Sequence, residues 1–537
     1  MAETDTNNKP ANQSSVAGPP AAGVNPWIIA LVVMLATFME VLDTSIANVA
    51  LPHIAGSLSA TVDESTWVLT SYLVSNAIVL PLTGWFSTLF GRKRFYMACV
   101  AVFTISSFLC GLAPSLGALV IMRVVQGAGG GGLQPISQAI LVESFDREHQ
   151  GMAMAVYGMG VVVAPIIGPT LGGWITDNYT WRWIFFINIP IGILSLLLTS
   201  TLISDPPYLL RKSFKEGLKI DFIGLGLLSL GVGTLQVMLD KGQEDDWFGS
   251  HFILTMAILA LIGIVGVVIW ELRQKHPMID LRLLKDKNFA ISTFTMFALG
   301  LVLYGTTVLL PVLVQTLMGY TAELSGLVLS PGAVITMFTM PLVGWLLSRF
   351  EARWLVIVGL IILSIGMFRL SHISLEANFL TLVLIWCISR GGLGFLFVPI
   401  NVMAFYFVPK EKTNNATGLI NLARNIGGSV GISLVTTFQA RWAQVQQNNL
   451  LNSLTPYNPG YESMLNSTAR TLQSAGSSST QALQQAHGLL YGELVRQASM
   501  VSFVNVFWVL ATTCLLMIPM MFLMKKMRPR RGRVTAH

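Results

Sequence analysis

Charged side chains are scarce in this sequence, and their scarcity excludes an ordinary soluble protein. Only 11% of the 537 residues are charged, whereas 53% are hydrophobic; a soluble domain carries about 25% charged residues. Lipid can cover that much apolar surface, but a water-soluble fold of this length could not bury it. Apolar runs of about twenty residues recur along the chain, each long enough to cross a hydrocarbon core of about 30 Å. Because lipid offers the backbone no hydrogen bonds, the runs should be helices and the fold all-α.

Cysteines and catalytic motifs are also scarce. The four cysteines fall in apolar runs, without the spacing of a disulfide framework or a metal site. The sequence lacks a Walker A lysine motif, so ATP is not the energy source within this chain. The stretch 127–132 matches GxGxxG and 427–431 matches GxSxG, but neither follows a strand, so we reject nucleotide-binding and hydrolase sites. We therefore predict a protein that is not an enzyme and uses no cofactor or metal.

The apolar runs predict fourteen membrane-spanning helices, arranged as six, an inserted two, and six. The first covers 27–50, the thirteenth 414–440 and the fourteenth 499–524. The predicted organisation begins with a disordered cytoplasmic N-terminus at 1–25, a six-helix bundle at 26–204 and a linker with two inserted helices at 205–287. A second six-helix bundle follows at 288–524 and includes a long periplasmic loop at 441–498. A basic cytoplasmic tail at 525–537 ends the chain.

Lys and Arg residues alternate between the two sides of the predicted membrane. Most of the 33 basic residues fall in every second segment between helices, including 92–94, 273–287 and 525–533. Since cytoplasmic segments carry the excess of Lys and Arg, both termini should be cytoplasmic and the number of spans even. The net charge of +7 then reflects membrane topology, and we predict no nucleic-acid partner.

An internal repeat relates the two predicted bundles. Segments 61–93 and 321–353 align without gaps. Among other identities they share a proline, Pro81 and Pro341, and a Gly-Trp pair that begins three residues later, at 84–85 and 344–345. Chance similarity between membrane helices does not explain matches along a whole helix and its basic turn. Parallel repeats of this kind are typical of transporters whose halves rock around a site at the membrane midplane.

Two acidic residues interrupt the first predicted span. Glu40 and Asp43 are three residues apart and therefore on one helix face. A charge at the bilayer centre costs about 2.5–3.5 kcal/mol on insertion scales, so an acid there is usually functional or paired. We predict that these acids couple transport to protons, with Asp43 as the carrier and Glu40 tuning it. The alternative is a static ion pair that holds helices together.

Basic residues also occur inside the predicted spans. Arg123 lies in the fourth span, and because a buried guanidinium keeps its proton, it must find an acid, a carbonyl or water. We predict that it neighbours Asp43 and biases the titration of that acid. Arg390 and Arg424 are its candidate counterparts in the second bundle.

Further candidates for substrate binding or gating lie in or near the same spans. Pro165, Gly168 and Pro169 interrupt the fifth span, where proline and glycine allow a bend and close packing. A passive kink is the alternative. The remaining polar candidates are Asn48, Gln126 and Asn425.

Several of these motifs together resemble one known family. The stretch 42–52, LDTSIANVALP, resembles the first-helix signature of the fourteen-helix drug:proton antiporter branch of the major facilitator superfamily. Arg123 with 126–127 resembles its fourth-helix motif, and Gly168-Pro169 with 172–173 resembles its antiporter motif. The stretch 181–190, WRWIFFINIP, is also typical of that branch.

The resemblance implies a function and partners. It implies a proton-coupled multidrug efflux antiporter in the bacterial inner membrane that exports hydrophobic or amphipathic compounds by alternating access. It also implies a periplasmic adaptor of the EmrA type and an outer-membrane channel of the TolC type. Two alternatives stay open: an exporter of a physiological metabolite, siderophore, fatty acid or lipid, and a non-transporting membrane sensor.

The cytoplasmic turn at Gly84 to Arg94 resembles a superfamily motif through Gly84, Gly91, Arg92 and Lys93. It departs from that motif at Thr88, where the superfamily usually has Asp, so a charge relay through that acid is not expected here.

The predicted periplasmic loop at 441–498 resembles the extended loop of the same branch. We expect helices at 439–455 and 480–498 and propose that the loop docks the adaptor or acts as a lid; a solvated loop without function is the alternative.

Overall fold

The computed structural model describes residues 25–146, 148–205, 221–274, 277–452, 454–455 and 457–525. The predicted N-terminal segment up to residue 24, the linker residues 206–220 and the tail from 526 onward lie outside the described residues. Within the described ranges the secondary structure is helical throughout, without a β-strand. The predicted all-α architecture is confirmed.

The first half of the chain forms ten α-helices that make up six spans. Pro81 lies in a short 3₁₀ segment between α3 and α4, whereas its repeat partner Pro341 lies inside the continuous helix α14 (Ala322–Leu346). Gly91, with a φ of 82°, separates α4 from α5 in a left-handed conformation that glycine adopts without strain. The helices are α1 Pro26–Ser57, α2 Val62–Ser65, α3 Trp67–Val79, α4 Thr83–Phe90, α5 Arg92–Gly111, α6 Leu116–Gly130, α7 Leu133–Ser144, α8 Gln150–Asn178, α9 Trp183–Phe186 and α10 Asn188–Leu202.

The second half begins with the inserted pair and continues into the second bundle. Polar side chains cap several helix starts: Asp286 accepts from the backbone N–H of Phe289 at 3.0 Å and Asn378 from that of Thr381 at 2.8 Å. The helices are α11 Phe222–Lys241, α12 His251–Arg273, α13 Lys287–Thr316, α14 Ala322–Leu346, α15 Ala352–Leu370, α16 Phe379–Phe405, α17 Thr413–Leu451, α18 Pro459–Ser474 and α19 Ser479–Phe522.

Thirteen helical segments of the described chain are long and apolar enough to cross a membrane. The thirteenth predicted span, which α17 contains, is not among them, because its 39 residues include many polar ones. The structure therefore supports a multi-pass membrane protein without establishing the predicted count of fourteen spans.

The two bundles repeat one packing pattern. In the first, α1 packs against α8, α3 against α6, and α5 against α6 and α10; in the second, α13 packs against α17, α14 against α16, and α15 against α16 and α19. The contacts between the bundles are related by the repeat as well. Helix α8 of the first bundle packs against α14 of the second, and α17 of the second packs against α3 and α4 of the first. The sequence repeat is thus a repeat of packing.

The inserted helix α11 contacts both bundles near its C-terminal end. Thr70 of α3 donates a hydrogen bond to Asp240, and Gln236 donates to Ser429 of α17 at 2.8 Å. By contrast, α12 contacts α11 and leaves much of its apolar surface exposed, as expected for a helix that faces lipid.

The helices expected at 439–455 and 480–498 in the predicted periplasmic loop are present, as continuations of α17 and α19. Helix α17 continues from the predicted span to Leu451, and α19 begins at Ser479, twenty residues before the predicted span starts. Between them lies α18, Pro459–Ser474, which the sequence reading did not predict. Asn458 caps α18 through the N–H of Gly460, and α18 packs against α19.

Candidate functional site

Asp43 and Arg123 form a buried ion pair inside the first bundle. Arg123 Nη1 lies 2.5 Å from Asp43 Oδ2, and the two residues are 0% and 2% exposed respectively. Gln126 donates from Nε2 to Asp43 Oδ1 at 3.1 Å and accepts from Arg123 Nη1 at 2.8 Å. The predicted proximity of Arg123 to Asp43 is therefore present, and Gln126 holds both partners.

The surroundings of this pair come entirely from the first bundle. Asn188, at the start of α10, donates to Asp43 Oδ1 at 2.7 Å. Arg123 donates from Nε to the carbonyl oxygen of Val68 at 3.0 Å, and its guanidinium lies 4.3 Å from the centre of the Tyr72 ring. Both Asp43 oxygens thus accept hydrogen bonds and the guanidinium is stacked on an aromatic ring, whereas Arg123 Nη2 has no hydrogen-bond partner among the described residues.

Glu40 lies in a second polar cluster, one turn along α1. It is 3% exposed and accepts three hydrogen bonds: from Tyr72 at 3.2 Å, from Asn76 at 3.1 Å and from Gln134 at 2.5 Å. Tyr72 and Asn76 belong to α3 and Gln134 to α7. In the described chain no Lys, Arg or His forms a salt bridge with this carboxylate.

The Glu40 cluster connects to the second bundle through two amides. Gln134 accepts from Arg424 Nη2 through its Oε1 atom, and Asn76 accepts from Asn425 Nδ2 at 3.5 Å. Arg424 and Asn425 are neighbours on α17. Each amide therefore donates to Glu40 and accepts from α17, so the structure brings Glu40, Arg424 and Asn425 together across the boundary between the bundles.

A third polar cluster joins the bundles at Gln138, four residues after Gln134 on α7. Gln138 of α7 donates to Asn401 of α16 and accepts from Asn421 of α17 at 2.7 Å. All three residues are buried. Uncharged amides thus join the bundles at this point, and the buried Oδ1 atom of Asn421 has no hydrogen-bond partner among the described residues.

Arg390, the other predicted counterpart of Arg123, is placed differently. It is 1% exposed, donates from Nη2 to Thr306 at 3.2 Å and Thr307 at 3.0 Å, and stacks on Trp386 at 3.8 Å. These partners all belong to the second bundle, and no acidic group of the described chain forms a salt bridge with Arg390. The structure does not bring it to Glu40 or Asp43.

The glycine and proline candidates of α8 pack against α1. Ser45 donates to the carbonyl oxygen of Pro165 at 3.0 Å, and a Cβ atom on Gly168 would lie 2.4 Å from Ser45 Oγ. Gly168 therefore permits the close approach of α1 and α8 within one bundle, and Pro169 follows on the same helix. Asn48 is exposed on α1 and lies outside the polar clusters.

The turn between α4 and α5 is held by Glu143, an acid at a different position from the one that the superfamily motif has where this chain has Thr88. Arg92 donates from both terminal nitrogens to Glu143 of α7, at 2.5 and 2.7 Å. Lys93 donates from Nζ to the carbonyl oxygen of Ser200 at 2.6 Å, while Thr88 bonds back to its own helix.

Gly84 begins the same turn and touches the second bundle. A Cβ atom there would lie 1.6 Å from Asn415 Oδ1 of α17, so the bundles approach each other through a position that only glycine can occupy. Gly151 of α8 meets Gly344 of α14 in a similar close approach.

Sequence reasoning included Gln126 but missed the three other amide partners of the two acids. Asn76, Gln134 and Asn188 were not among the candidates, although each lies within an apolar run. Buried amides need hydrogen-bond partners in lipid as acids do, so a search for every polar side chain in a span would have found them. Their pairing with a particular acid has no signal in the sequence.

Comparisons with known proteins agree with this architecture. Residues 33–432 match the model of the Major Facilitator Superfamily. The chain is 39% identical over 442 residues to Multidrug export protein EmrB of Haemophilus influenzae, covering 82% of this chain and 86% of that one. It is 35% identical over 508 residues to Fatty acid resistance protein FarB of Neisseria gonorrhoeae, covering 94% and 97%.

A solved structure shows the same fold. The proton:xylose symporter XylE bound to 6-bromo-6-deoxy-D-glucose matches with a TM-score of 0.58 at 14% identity, covering 94% of this chain and 97% of that one. The major facilitator fold predicted from the sequence is thereby confirmed.

Proposed function

The chain belongs to the Major Facilitator Superfamily, and from that membership we propose that it exports drugs and other hydrophobic or amphipathic compounds in exchange for protons. Multidrug efflux follows from its identity of 39% to a multidrug export protein over most of both chains. Two bundles with repeated packing fit alternating access, in which each side of a central site opens in turn.

One observation carries the proton coupling: two carboxyl groups, Glu40 and Asp43, are buried on one helix of the first bundle. A carboxyl group in this setting can hold a proton on one side of the membrane and release it on the other. Each inward proton supplies about 2.3 kcal/mol per 100 mV of membrane potential, before any pH gradient is counted. That driving force supports accumulation of substrate against a gradient.

The proposal includes location and partners. The distribution of basic residues favours cytoplasmic termini, and the resemblance favours the bacterial inner membrane. The helical region from Arg441 to Ala498 extends past the predicted spans and exposes much of its surface. We therefore propose it as the region that meets an adaptor of the EmrA type, which would pass substrate to a channel of the TolC type.

Purified protein in sealed vesicles tests the proton coupling. Vesicles would enclose a pH-sensitive dye, and ethidium or tetraphenylphosphonium would be added under an imposed pH gradient. Both cations carry a permanent charge, so a pH change that depends on them must come from the protein. We expect movement of the cation against its gradient together with opposite proton flux, and loss of both when the gradient is collapsed. Absence of proton flux and of transport with both cations would refute drug:proton antiport.

A fatty acid exporter is the second candidate, favoured by the 35% identity to a fatty acid resistance protein over nearly the whole chain. Export of radiolabelled oleate, measured in the same vesicles in the absence of cation transport, would favour it. Because fatty acids carry protons across lipid by themselves, this assay would follow the label rather than the internal pH.

A further inference from the structure

We propose that Arg390 of the second bundle binds the carboxylate of amphipathic substrates, that is, of fatty acids and other apolar molecules with one carboxylate group. This inference rests on the proposed function and adds an anionic class to the cationic compounds named there. It makes Arg390 a substrate-binding residue that recognises charge.

Buried cations outnumber buried acids in the helices of the two bundles. The buried arginines of the described bundle helices are Arg92, Arg123, Arg390 and Arg424, and the buried acids are Glu40 and Asp43. Arginine keeps its proton in proteins, so a buried guanidinium needs a counter-charge or strong hydrogen-bond acceptors. The chain itself supplies a counter-charge to three of these four arginines.

Arg390 is the arginine that receives no counter-charge from the chain. The two arginines of the first bundle each bond directly to a carboxylate. Arg424 is one side chain away from Glu40, because Gln134 bonds to both residues. By contrast, Arg390 forms no salt bridge with an acid of the described chain. An anionic ligand can supply the charge that Arg390 lacks.

The repeat between the bundles shows which partner has been replaced. In the packing of the two halves α16 corresponds to α6, and α13 corresponds to α1. In the first bundle the guanidinium from α6 meets a carboxylate from α1 at 2.5 Å. In the second bundle the guanidinium from α16 meets two hydroxyl groups from α13, those of Thr306 and Thr307. The second bundle therefore keeps the buried cation without its internal acid.

The Arg390 side chain also keeps hydrogen-bond donors in reserve. Its Nη2 atom donates to both threonines, at 3.2 and 3.0 Å, whereas its buried Nε atom has no partner among the described residues. The planar fork of a guanidinium matches the two oxygens of a carboxylate. Trp386 stacks on the guanidinium at 3.8 Å and gives the site an apolar wall. This combination suits a ligand with one carboxylate and an apolar body.

The depth of Arg390 in the membrane favours a substrate over the headgroup of a bilayer lipid. Arg390 follows Phe379, the first residue of α16, by eleven residues, which is about 16 Å of helix. It therefore lies well inside a hydrocarbon core of about 30 Å, near the depth at which transporters of this architecture bind substrate. Thr307 beside it is partly exposed, so a single side chain separates the site from accessible surface.

Binding of tritiated decanoate to the purified full-length protein in detergent tests the site. Scintillation proximity would follow the bound ligand at a pH well above the pKa of the free acid. We expect saturable binding that unlabelled decanoate displaces. Decanol and decyltrimethylammonium carry the same chain with no charge or a positive charge, and they should compete about tenfold more weakly, because hydrogen bonds between charged groups are the stronger ones.

The ratio of decanoate affinity to decanol affinity separates charge recognition from helix packing. Arg390→Gln should lower this ratio about tenfold, because the variant can no longer pair with the carboxylate. Arg390→Lys keeps the charge without the planar fork and should keep part of the preference; it also tests the site if Arg390→Gln does not fold. A residue that only supports packing would change the affinities for both ligands alike.

Two further arginines serve as controls. Arg369→Gln is the matched control, since Arg369 is an exposed arginine on α15, which packs against α16, and the ratio should stay at the wild-type value. Arg424→Gln should also keep the preference for decanoate, because Glu40 rather than a ligand balances the charge of Arg424.

Three results would overturn the assignment to Arg390. They are equal affinity of the wild type for decanoate and decanol, loss of the preference in Arg424→Gln but not in Arg390→Gln, and displacement of decanoate by phosphatidylglycerol as effectively as by decanoate itself. Failure of the proposed function is a separate result, since the vesicles would then transport neither cation nor oleate, whereas the binding assay requires no transport.

Discussion

Replacement of Asp43 by Asn should destabilise the protein more than any other neutralisation in the polar clusters. Asn keeps one oxygen, which can still accept from Gln126 and Asn188, but its amide nitrogen would face Arg123 Nη1 at the 2.5 Å contact. The new amide N–H group and the N–H group of Arg123 are both donors, so no hydrogen bond forms between them and the buried cation is left unpaired. Loss of one partner from a buried ion pair costs about 3–5 kcal/mol.

The environment of Glu40 predicts a smaller cost for Glu40→Gln. Its three donors are neutral, and the replacement preserves the shape of the side chain and one acceptor oxygen. Hydrogen bonds to a charged group contribute about 1.5–3 kcal/mol and neutral ones about 0.5–1.5 kcal/mol. We therefore expect a cost of about 1–1.5 kcal/mol for each hydrogen bond whose acceptor becomes neutral, which is the difference between those ranges, and no further cost from an unpaired buried charge.

Unfolding titrations with sodium dodecyl sulfate in mixed micelles would measure both free energies of unfolding. Asp43→Asn should be the less stable variant, and addition of Arg123→Gln should restore much of the loss, because the double variant no longer buries a lone cation. Equal stability of Asp43→Asn and the wild type would refute the claim that the pair is a structural element. Additivity of the two single changes would refute their coupling.

Three further predictions concern the bundle contacts and the periplasmic region. Gly84→Ala should hinder closure of the bundles at the turn between α4 and α5, because the added Cβ would overlap Asn415. Cysteines introduced at this boundary should then be labelled faster from the cytoplasmic side, and Asn415→Gly should reverse the effect. Arg92→Gln should lower thermal stability in detergent by breaking both bonds to Glu143, with a reciprocal charge exchange of the two residues restoring part of it; no loss in Arg92→Gln would contradict the structural role. Deletion of 450–490 should abolish drug resistance of whole cells while leaving membrane insertion and vesicle transport intact, and normal resistance would exclude adaptor docking by this region.

The cytoplasmic turn illustrates how one departure from a family pattern is accommodated. With Thr88 in place of the usual acid, Arg92 pairs with Glu143 on α7, within the first bundle. The contact of the turn with the second bundle is steric, through Gly84 and Asn415.

The sequence alone determined the class of the protein and the positions of its unusual charges. Lipid excludes water from the backbone, so long apolar runs have only the helix available to them, and the gapless repeat identified the two bundles. Glu40, Asp43 and Arg123 were identifiable because a charge inside a span is costly and rare. The helices at the two ends of the predicted loop were also expected, but α18, Pro459–Ser474, was not, because a short polar segment forms a helix only where packing supports it.

Tertiary structure alone decided which acid meets the cation. Residues three apart on a helix share a face but point about 60° apart around its axis, which is enough for Asp43 to meet α6 and α10 while Glu40 meets α3 and α7. The amides of Asn76, Gln134 and Asn188 can each bond to many partners, and their sequence positions do not select one. Helix packing selects the partner, and with it the acid that is locked in an ion pair and the acid that is left among neutral donors.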